Sequence, residues 1–380
     1  MQHEQDHYPT HAERSAGHDG SLDQDSAEAL CERVRQANGD RTPLRIVGGD
    51  TKAFYGRAVK GEALSTCEHR GIVHYDPVEL IVSARAGTPL AELEAVLDTQ
   101  GQRLAFEPPH FGEGATVGGT IATGLSGPRR PWAGSARDFV LGTRMITHEG
   151  KLLRFGGEVM KNVAGYDLSR LMAGAQGTLG VIAEVSLKVL PKPAATHSLR
   201  LEMPLDSALT RLAEWGRQPL PLSAVAYVEG ALYLRLEGGN SSVAASRERL
   251  GGEGVEARFW EELREHRLAF FSPQDDRPLW RLSLPNHVAT IALPDMQQDD
   301  VLYDWAGAQR WVRSAATAET IRNAAAKVGG HATCYRSQRN ADAIEPFTPL
   351  APVVAKYHRN LKAELDPNGI FNPGRLYAAL

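Results

Sequence analysis

The sequence predicts an α+β protein: a two-part, glycine-rich first domain followed by a smaller α+β domain built on an antiparallel sheet. Three observations lead there. Early elements run strand, strand, helix, strand instead of alternating regularly, which argues against a doubly wound sheet. Glycine crowds both ends of one segment, from Pro108-Pro109-His110-Phe111-Gly112 through Ala115–Gly124 to Gly174–Ile182. Past Pro191-Lys192-Pro193 the character changes to short strands interleaved with helices.

Composition bounds the rest. A chain of 380 residues implies roughly two to three domains. Hydrophobic residues make up 42% and charged residues 23%, an ordinary globular balance. The formal charge of −4 announces no nucleic-acid surface. Nothing approaches ~18 consecutive apolar residues, so no direct membrane span is expected. Cys31, Cys67 and Cys334 are odd in number and far apart, so they form neither a disulfide framework nor a cluster motif. A reducing cytoplasmic compartment fits them.

Residues 1–26 are polar and read as a mobile tail. His3, His7 and His11 would face a metal only on a helix, and Pro9 interrupts that run. Ala27 to Asn38 reads as a helix with Asn38-Gly39 as its stop. Leu44–Val47 is a strand, followed at once by Gly48-Gly49-Asp50-Thr51-Lys52. That turn has the build of a phosphate grip: glycines let the chain approach, Thr51 donates, Lys52 brings charge. A plain hairpin turn is the other reading of the same residues. Strands follow at Gly71–Tyr75 and Leu80–Ala84. Leu90, Leu93, Val96 and Leu97 lie on one face of a helix from Pro89 to Gln100, with Thr88 as its cap and Pro89 at its first position. Leu104–Phe106 returns to extended chain. Phe139–Thr147 and Lys151–Phe155, joined at Glu149-Gly150, form a hairpin. Leu168–Met172 is a short helix, and Val181–Val189 a long strand.

The second domain, residues 194–350, starts with strands at Ser198–Glu202, Ala224–Glu229 and Leu232–Leu236. Helices are predicted at Ser207–Trp215 and Ser242–Leu250, on one side of the sheet. Leu279–Pro285 is a strand carrying Arg281, which is either a bidentate carboxylate ligand or a surface residue. The aromatic runs Val301–Trp305 and Gln309–Trp311 suit core packing first and a partner face second. A helix at Ala316–Val328 and a strand at His331–Tyr335 close this domain. Residues 351–380 form a C-terminal segment with a helix at Pro352–Leu365.

Val47-Gly48-Gly49-Asp50-Thr51, Ala115-Thr116-Val117-Gly118-Gly119 and Gly174-x-x-Gly177-Thr178-Leu179-Gly180-Val181-Ile182 occur in an order and spacing that resembles the FAD-binding (PCMH-type) domain of the vanillyl-alcohol-oxidase and p-cresol-methylhydroxylase superfamily. Within it the chain is most similar to the FAD-binding subunits of bacterial glycolate oxidases. Asn162–Asp167 and Phe371-Asn372-Pro373-Gly374 sharpen the match, which covers residues 29 to 193 best. The resemblance implies two FAD-binding subdomains over residues 27–193, a cap over 194–350, and a tail returning to the flavin domain. It assigns cofactor contacts to Gly48, Gly49, Asp50, Thr51, Lys52, Pro109, Thr116, Val117, Gly118, Gly119, Ala122, Gly124, Gly174, Gly177, Gly180 and Ile182. The 48–52 turn and the 116–122 element would hold the diphosphate, and Ile182 would lie at the ring edge. No histidine matches a covalent flavin attachment, so non-covalent FAD is expected.

Catalytic relatives carry histidine motifs that bind a metal or act as base, and neither motif is present; His287, His331 and His358 stand alone. The resemblance therefore implies a subunit of a glycolate-oxidising complex. A larger flavin subunit would act on the small 2-hydroxy acid, and an iron–sulfur subunit would pass electrons to the inner membrane. A stand-alone 2-hydroxy-acid dehydrogenase using Arg281, and a cofactor-free scaffold, are the alternatives. No metal site is expected.

Overall fold

The computed structural model describes residues 23–157, 167–272, 275–294, 296–337 and 344–380. Asn162–Tyr166 and the early histidines lie outside the described residues. The chain opens with α1 (Ala27–Asp40), a parallel pair β1 (Leu44–Val47) and β2 (Glu62–Ser65), and antiparallel β3 (Ile72–Asp76) and β4 (Ile81–Arg85). Then come α2 (Leu90–Thr99), β5 (Gln102–Arg103), α3 (Val117–Thr123), α4 (Arg130–Ala133), α5 (Ala136–Phe139), β6 (Val140–Ile146), β7 (Leu152–Gly156), α6 (Leu168–Leu171), β8 (Val181–Lys188) and β9 (Leu190–Pro191). The strands β3-β4-β8-β6-β7 make a five-stranded antiparallel sheet, and the 140–156 hairpin is part of it.

After Pro191 the chain changes sheet. Its elements are β10 (Ala195–Glu202), α7 (Leu205–Trp215), β11 (Leu222–Val228), β12 (Ala231–Gly238), α8 (Asn240–Leu250), β13 (Glu253–Val255), α9 (Arg258–Arg264), β14 (Leu279–Ser283), β15 (Val301–Asp304), β16 (Gln309–Arg313), α10 (Ala318–Lys327), β17 (His331–Arg336) and α11 (Pro352–Leu365). The eight strands run in the order β13-β10-β12-β11-β15-β16-β14-β17, every pair antiparallel. The α+β architecture with an antiparallel second sheet is therefore present.

Strand alternation decides what each face does. On β11, Val225 and Tyr227 join the core beneath α7, α8 and α10. Ala224, Ala226 and Val228 point the other way, into a cluster with Tyr55, Leu125, Trp260, Trp311 and Tyr335 that lies between the two sheets. Helix α9 contributes Trp260 to that second face, so the helices are not confined to one side. Tyr303, Trp305 and Trp311 are all buried, so the aromatic runs are core.

The junction between the sheets carries a buried charge cluster. Arg129 and Arg235 both reach Glu107, at 3.0 and 2.9 Å, and Arg129 also pairs with Glu237. Glu107 and Arg129 come from the first part of the chain, Arg235 and Glu237 from β12.

Local expectations fail in instructive places. The tail does not reach Ser26: Gln24 pairs with Arg70 through two backbone bonds, and Asp23 and Asp25 pair with Arg85. Helix α1 runs past Asn38-Gly39 to Asp40 and stops at Arg41 in the left-handed region. Thr88 does not cap α2. Its hydroxyl donates to the Gly71 carbonyl at 3.1 Å and accepts from the Gly71 amide at 3.0 Å, and Pro89 precedes the first helical residue. Leu104–Phe106 is buried turn, and the strand before it spans only Gln102–Arg103. Because β1 and β2 are parallel, the 48–52 turn is not a hairpin.

Candidate cofactor cleft

Four segments meet at one cleft: the end of β1 with the turn after it, the start of α3, the Gln176–Ile182 stretch, and the chain near its C-terminus. The cleft encloses about 290 Å³, and Gly48, Gly49, Asp50, Thr51, Lys52, Thr116, Gly118, Gly119, Ala122, Gly177, Gly180 and Ile182 line it.

The first wall is the 48–52 turn. Among the described residues, the amide N–H groups of Gly48, Gly49, Asp50, Thr51 and Lys52 have no protein acceptor. Successive free amides of this kind form an anion-binding concavity. Gly49 is required by packing: a Cβ there would overlap the carbonyl of Gly114. Asp50 adopts the left-handed region, φ 56°, and accepts from Arg45 at 3.1 Å.

Lys52 is 7% exposed, and among the described residues its ammonium donates only to the His110 carbonyl at 3.2 Å and the Thr51 hydroxyl at 3.4 Å. Burial pushes it down to about 8, against a smaller upward pull from Glu265. Arg375 lines the same cleft, its guanidinium bonded to Gln176 Oε1 at 3.0 Å and to the carbonyls of Arg57, Ala53 and Lys52 at 2.7, 3.1 and 3.4 Å. Burial depresses Arg375 as well. Neither cation has a carboxylate partner among the described residues. Buried charges are ordinarily paired. Lys52, buried, and Arg375, half-buried, share one cleft and lack a protein anion among the described residues, which fits a ligand that supplies the negative charge.

The second wall is α3. Thr116 caps it, accepting from the Gly119 amide at 3.2 Å. The amides of Val117 and Gly118 are already bonded to the Thr88 and Ala86 carbonyls, so this element brings few free donors. A Cβ on Gly118 would sit 2.6 Å from that of Ala86, so the glycine serves close helix–strand approach. The third wall is the Gln176–Ile182 stretch. On entering β8 the chain bulges: Arg144 pairs with Glu184 while Met145 pairs with Ile182, leaving Ala183 unmatched. A bulge re-aims side chains, and here Ile182 reaches the cleft. Ala86, Ala122 and Gly180 keep this end small and apolar, which suits a flat ring.

Four expected contacts do not line the cleft. Val117 packs into a core with Leu93, Ile121, Phe139 and Val185. Gly124 and Gly174 abut each other behind α3, where Gly174 N–H donates to Ile121. Pro109 is buried beside the 110–111 segment that Glu265 binds. In their place the cleft takes Ile46, Gln176, Asn372 and Arg375. Of these, Asn372 belongs to the Phe371–Gly374 phrase and Arg375 directly follows it.

Arg281 lies outside the cleft lining but is no free surface residue. Half-buried on β14, it donates to the Tyr55 hydroxyl at 3.0 Å and sits 5.8 Å from the Tyr335 ring. His266, which sequence reasoning passed over, stacks on Phe271 at 4.0 Å and meets Trp311 at 4.5 Å. Burial, then Arg336 and Arg281, hold it neutral, well below the usual imidazole range. Among the described residues no cluster of three or more His, Cys, Asp or Glu would hold a metal, and no helix is long and apolar enough to cross a membrane.

Comparison with known proteins agrees with this geometry. A family profile described as an FAD binding domain matches residues 24–156. Glycolate oxidase subunit GlcE of Escherichia coli (strain K12) is 54% identical over 94% of this chain and 99% of its own length. D-lactate dehydrogenase of Anaerostipes hadrus is 30% identical over 56% of this chain and 45% of its own. A solved alkyldihydroxyacetonephosphate synthase shares the fold, with a TM-score of 0.64 at 17% identity, covering 92% of this chain and 75% of that one. FAD is the cofactor of the matched domain, and likeness at this level, running nearly end to end, places the chain in the family of GlcE-type glycolate oxidase subunits.

Proposed function

We propose that this chain is the FAD-binding subunit of a multi-subunit glycolate oxidase that converts glycolate and similar 2-hydroxy acids to 2-oxo acids. The observation that carries the cofactor assignment is the anion-shaped wall: among the described residues, five consecutive unbonded amides at 48–52 are flanked by buried Lys52 and half-buried Arg375, neither with a carboxylate partner. Lys52 would offset the diphosphate charge, and the 48–52 amides, on the turn that Arg375 holds, would bind its oxygens. Ala86, Ala122, Gly180 and Ile182 would face the ring. When bound, FAD supplies the hydride acceptor that oxidation of a 2-hydroxy acid needs. Among the described residues, no histidine, cysteine or tyrosine lines the cleft, which favours non-covalent attachment. In this reading residues 27–193 hold the cofactor, residues 194–350 cap it, and residues 351–380 return to close the site.

A larger flavin subunit and an iron–sulfur subunit complete the assembly, the second carrying electrons onward. The complex is cytoplasmic and meets the inner membrane through those partners. The name of the E. coli relative, a subunit, supports an assembly of more than one chain. A second reading, a dehydrogenase active alone, is favoured by Arg281, which faces the junction of the sheets without an acidic partner among the described residues. Glycolate-dependent dye reduction separates the two. Turnover only after the partners are added supports the subunit reading, and turnover by the purified chain alone supports the second. A purified chain that binds no flavin would leave only a scaffold role.

A further inference from the structure

The three fasteners between the C-terminal segment and the cleft have no equivalent in a free tail. Asn372 accepts from the Ile46 amide at 2.7 Å and donates to the Gln176 carbonyl at 2.7 Å. It therefore joins the strand that leads into the 48–52 turn to the stretch on the opposite wall. Arg375 does the same one turn later, with one nitrogen on Gln176 and two on carbonyls of the 53–57 segment. Lys362, buried on the inner side of α11, donates to Thr178 at 2.7 Å, Phe371 at 2.8 Å and Asp366 at 2.6 Å. Asp366 in turn accepts from the amides of Ile370 and Phe371 at 3.0 and 2.8 Å.

The backbone at the meeting point is held in an uncommon conformation. Gln176 has φ 50° and Asn372 φ 39°, and a Cβ on Gly177 would lie 2.7 Å from Asn372 Nδ2. Left-handed non-glycine residues persist where surrounding bonds over-determine them. Among the described residues, no direct backbone hydrogen bond joins the 48–57 turn to the 174–180 stretch. Gln176 does bond to α3, its amide donating to Ala122, so that wall is anchored on one side by the first domain and on the other by the C-terminus.

We infer that residues 362–375 are a latch for the cofactor cleft, and that Asn372 and Arg375 are positioning residues that set the spacing of its two walls. The inference rests on the cofactor reading above. Arg375 spends its donors on carbonyls, so its main effect on a bound dinucleotide is exerted through the turn it holds. Docking of the latch and binding of FAD are then linked: each stabilises the other by the same factor.

The test titrates FAD into the purified full-length apo chain, carrying Asn372→Ala, Arg375→Gln or Arg375→Lys, with hydrogen exchange followed in parallel. Each variant should weaken FAD by about tenfold or more, since at least two hydrogen bonds are lost. Amides of residues 44–57 and 174–180 should exchange faster in the variants before FAD is added, while the eight-stranded sheet keeps its protection. Arg375→Lys retains the charge but not the fork, so it should stay weak. If Arg375→Lys restores wild-type affinity, Arg375 acts by charge on the ligand and the positioning role is wrong. If the wild type binds FAD and Asn372→Ala binds it equally well, the latch is wrong and the cofactor reading stands. If the wild type takes no FAD, the cofactor reading falls and takes this inference with it.

Discussion

At the scale of single residues, Lys52 is the most informative group in the cleft. Its ammonium is held down to about 8 by burial, from an ordinary value of 10.5. FAD affinity should therefore fall as pH rises through that value, because the charge facing the diphosphate is lost. Stability of the apo chain should move the opposite way. Between about 8 and 10.5 the unfolded chain binds the proton and the folded chain does not, so folding gains with pH. Lys52→Met should weaken FAD by about tenfold to a hundredfold and flatten the pH dependence, measured by flavin titration. Gly49→Ala tests the turn itself. Its Cβ has no room against Gly114, so the chain should lose about 1–3 kcal/mol in urea denaturation and bind FAD more weakly.

At the scale of elements, the charge cluster between the sheets sets how firmly the two halves are joined. Glu107 sits at about 2, because Arg235 and Arg129 outweigh the cost of burying it. A depressed carboxyl adds stability that is present above its unfolded value of 4.5 and is lost as pH falls toward about 2. Glu107→Gln leaves Arg129 and Arg235 sharing the single carboxylate of Glu237 and should cost about 1–3 kcal/mol in a denaturation experiment. These elements also mark the limits of the sequence. The β-hairpin at 140–156, the long β8 and the helices α7 and α11 are legible because apolar spacing and turn residues agree. Helix α3 is not, since Val117–Thr123 carries two glycines; Thr116 caps it, and α2, β4 and β8 pack against it. Thr88 looks like a cap locally, yet its hydroxyl is claimed by Gly71. Of the cleft, the glycine turns were readable as motifs. Gly124 and Gly174 carry the same local signal but are used for backbone packing instead.

Across the whole molecule, the cleft depends on contacts far apart in sequence. Asn372 and Ile46 are 326 residues apart, and no local pattern pairs them. The same holds for His266, which becomes a neutral, caged imidazole only when Phe271, Trp311 and Arg336 assemble around it. What the linear chain does carry is the glycine turn, the cation beside it and the family order of motifs. The assembled fold adds the second cation, the bonds by which the expected returning tail meets the cleft, and the junction between sheets.

The central claim is that the free amides at 48–52, between Lys52 and Arg375, receive a dinucleotide. It is tested most directly by measuring flavin in the purified full-length chain, before and after acid precipitation. The account predicts one FAD per chain with its visible absorbance, released entirely into the supernatant by acid. A chain that carries no flavin and takes none up when FAD is supplied would contradict it.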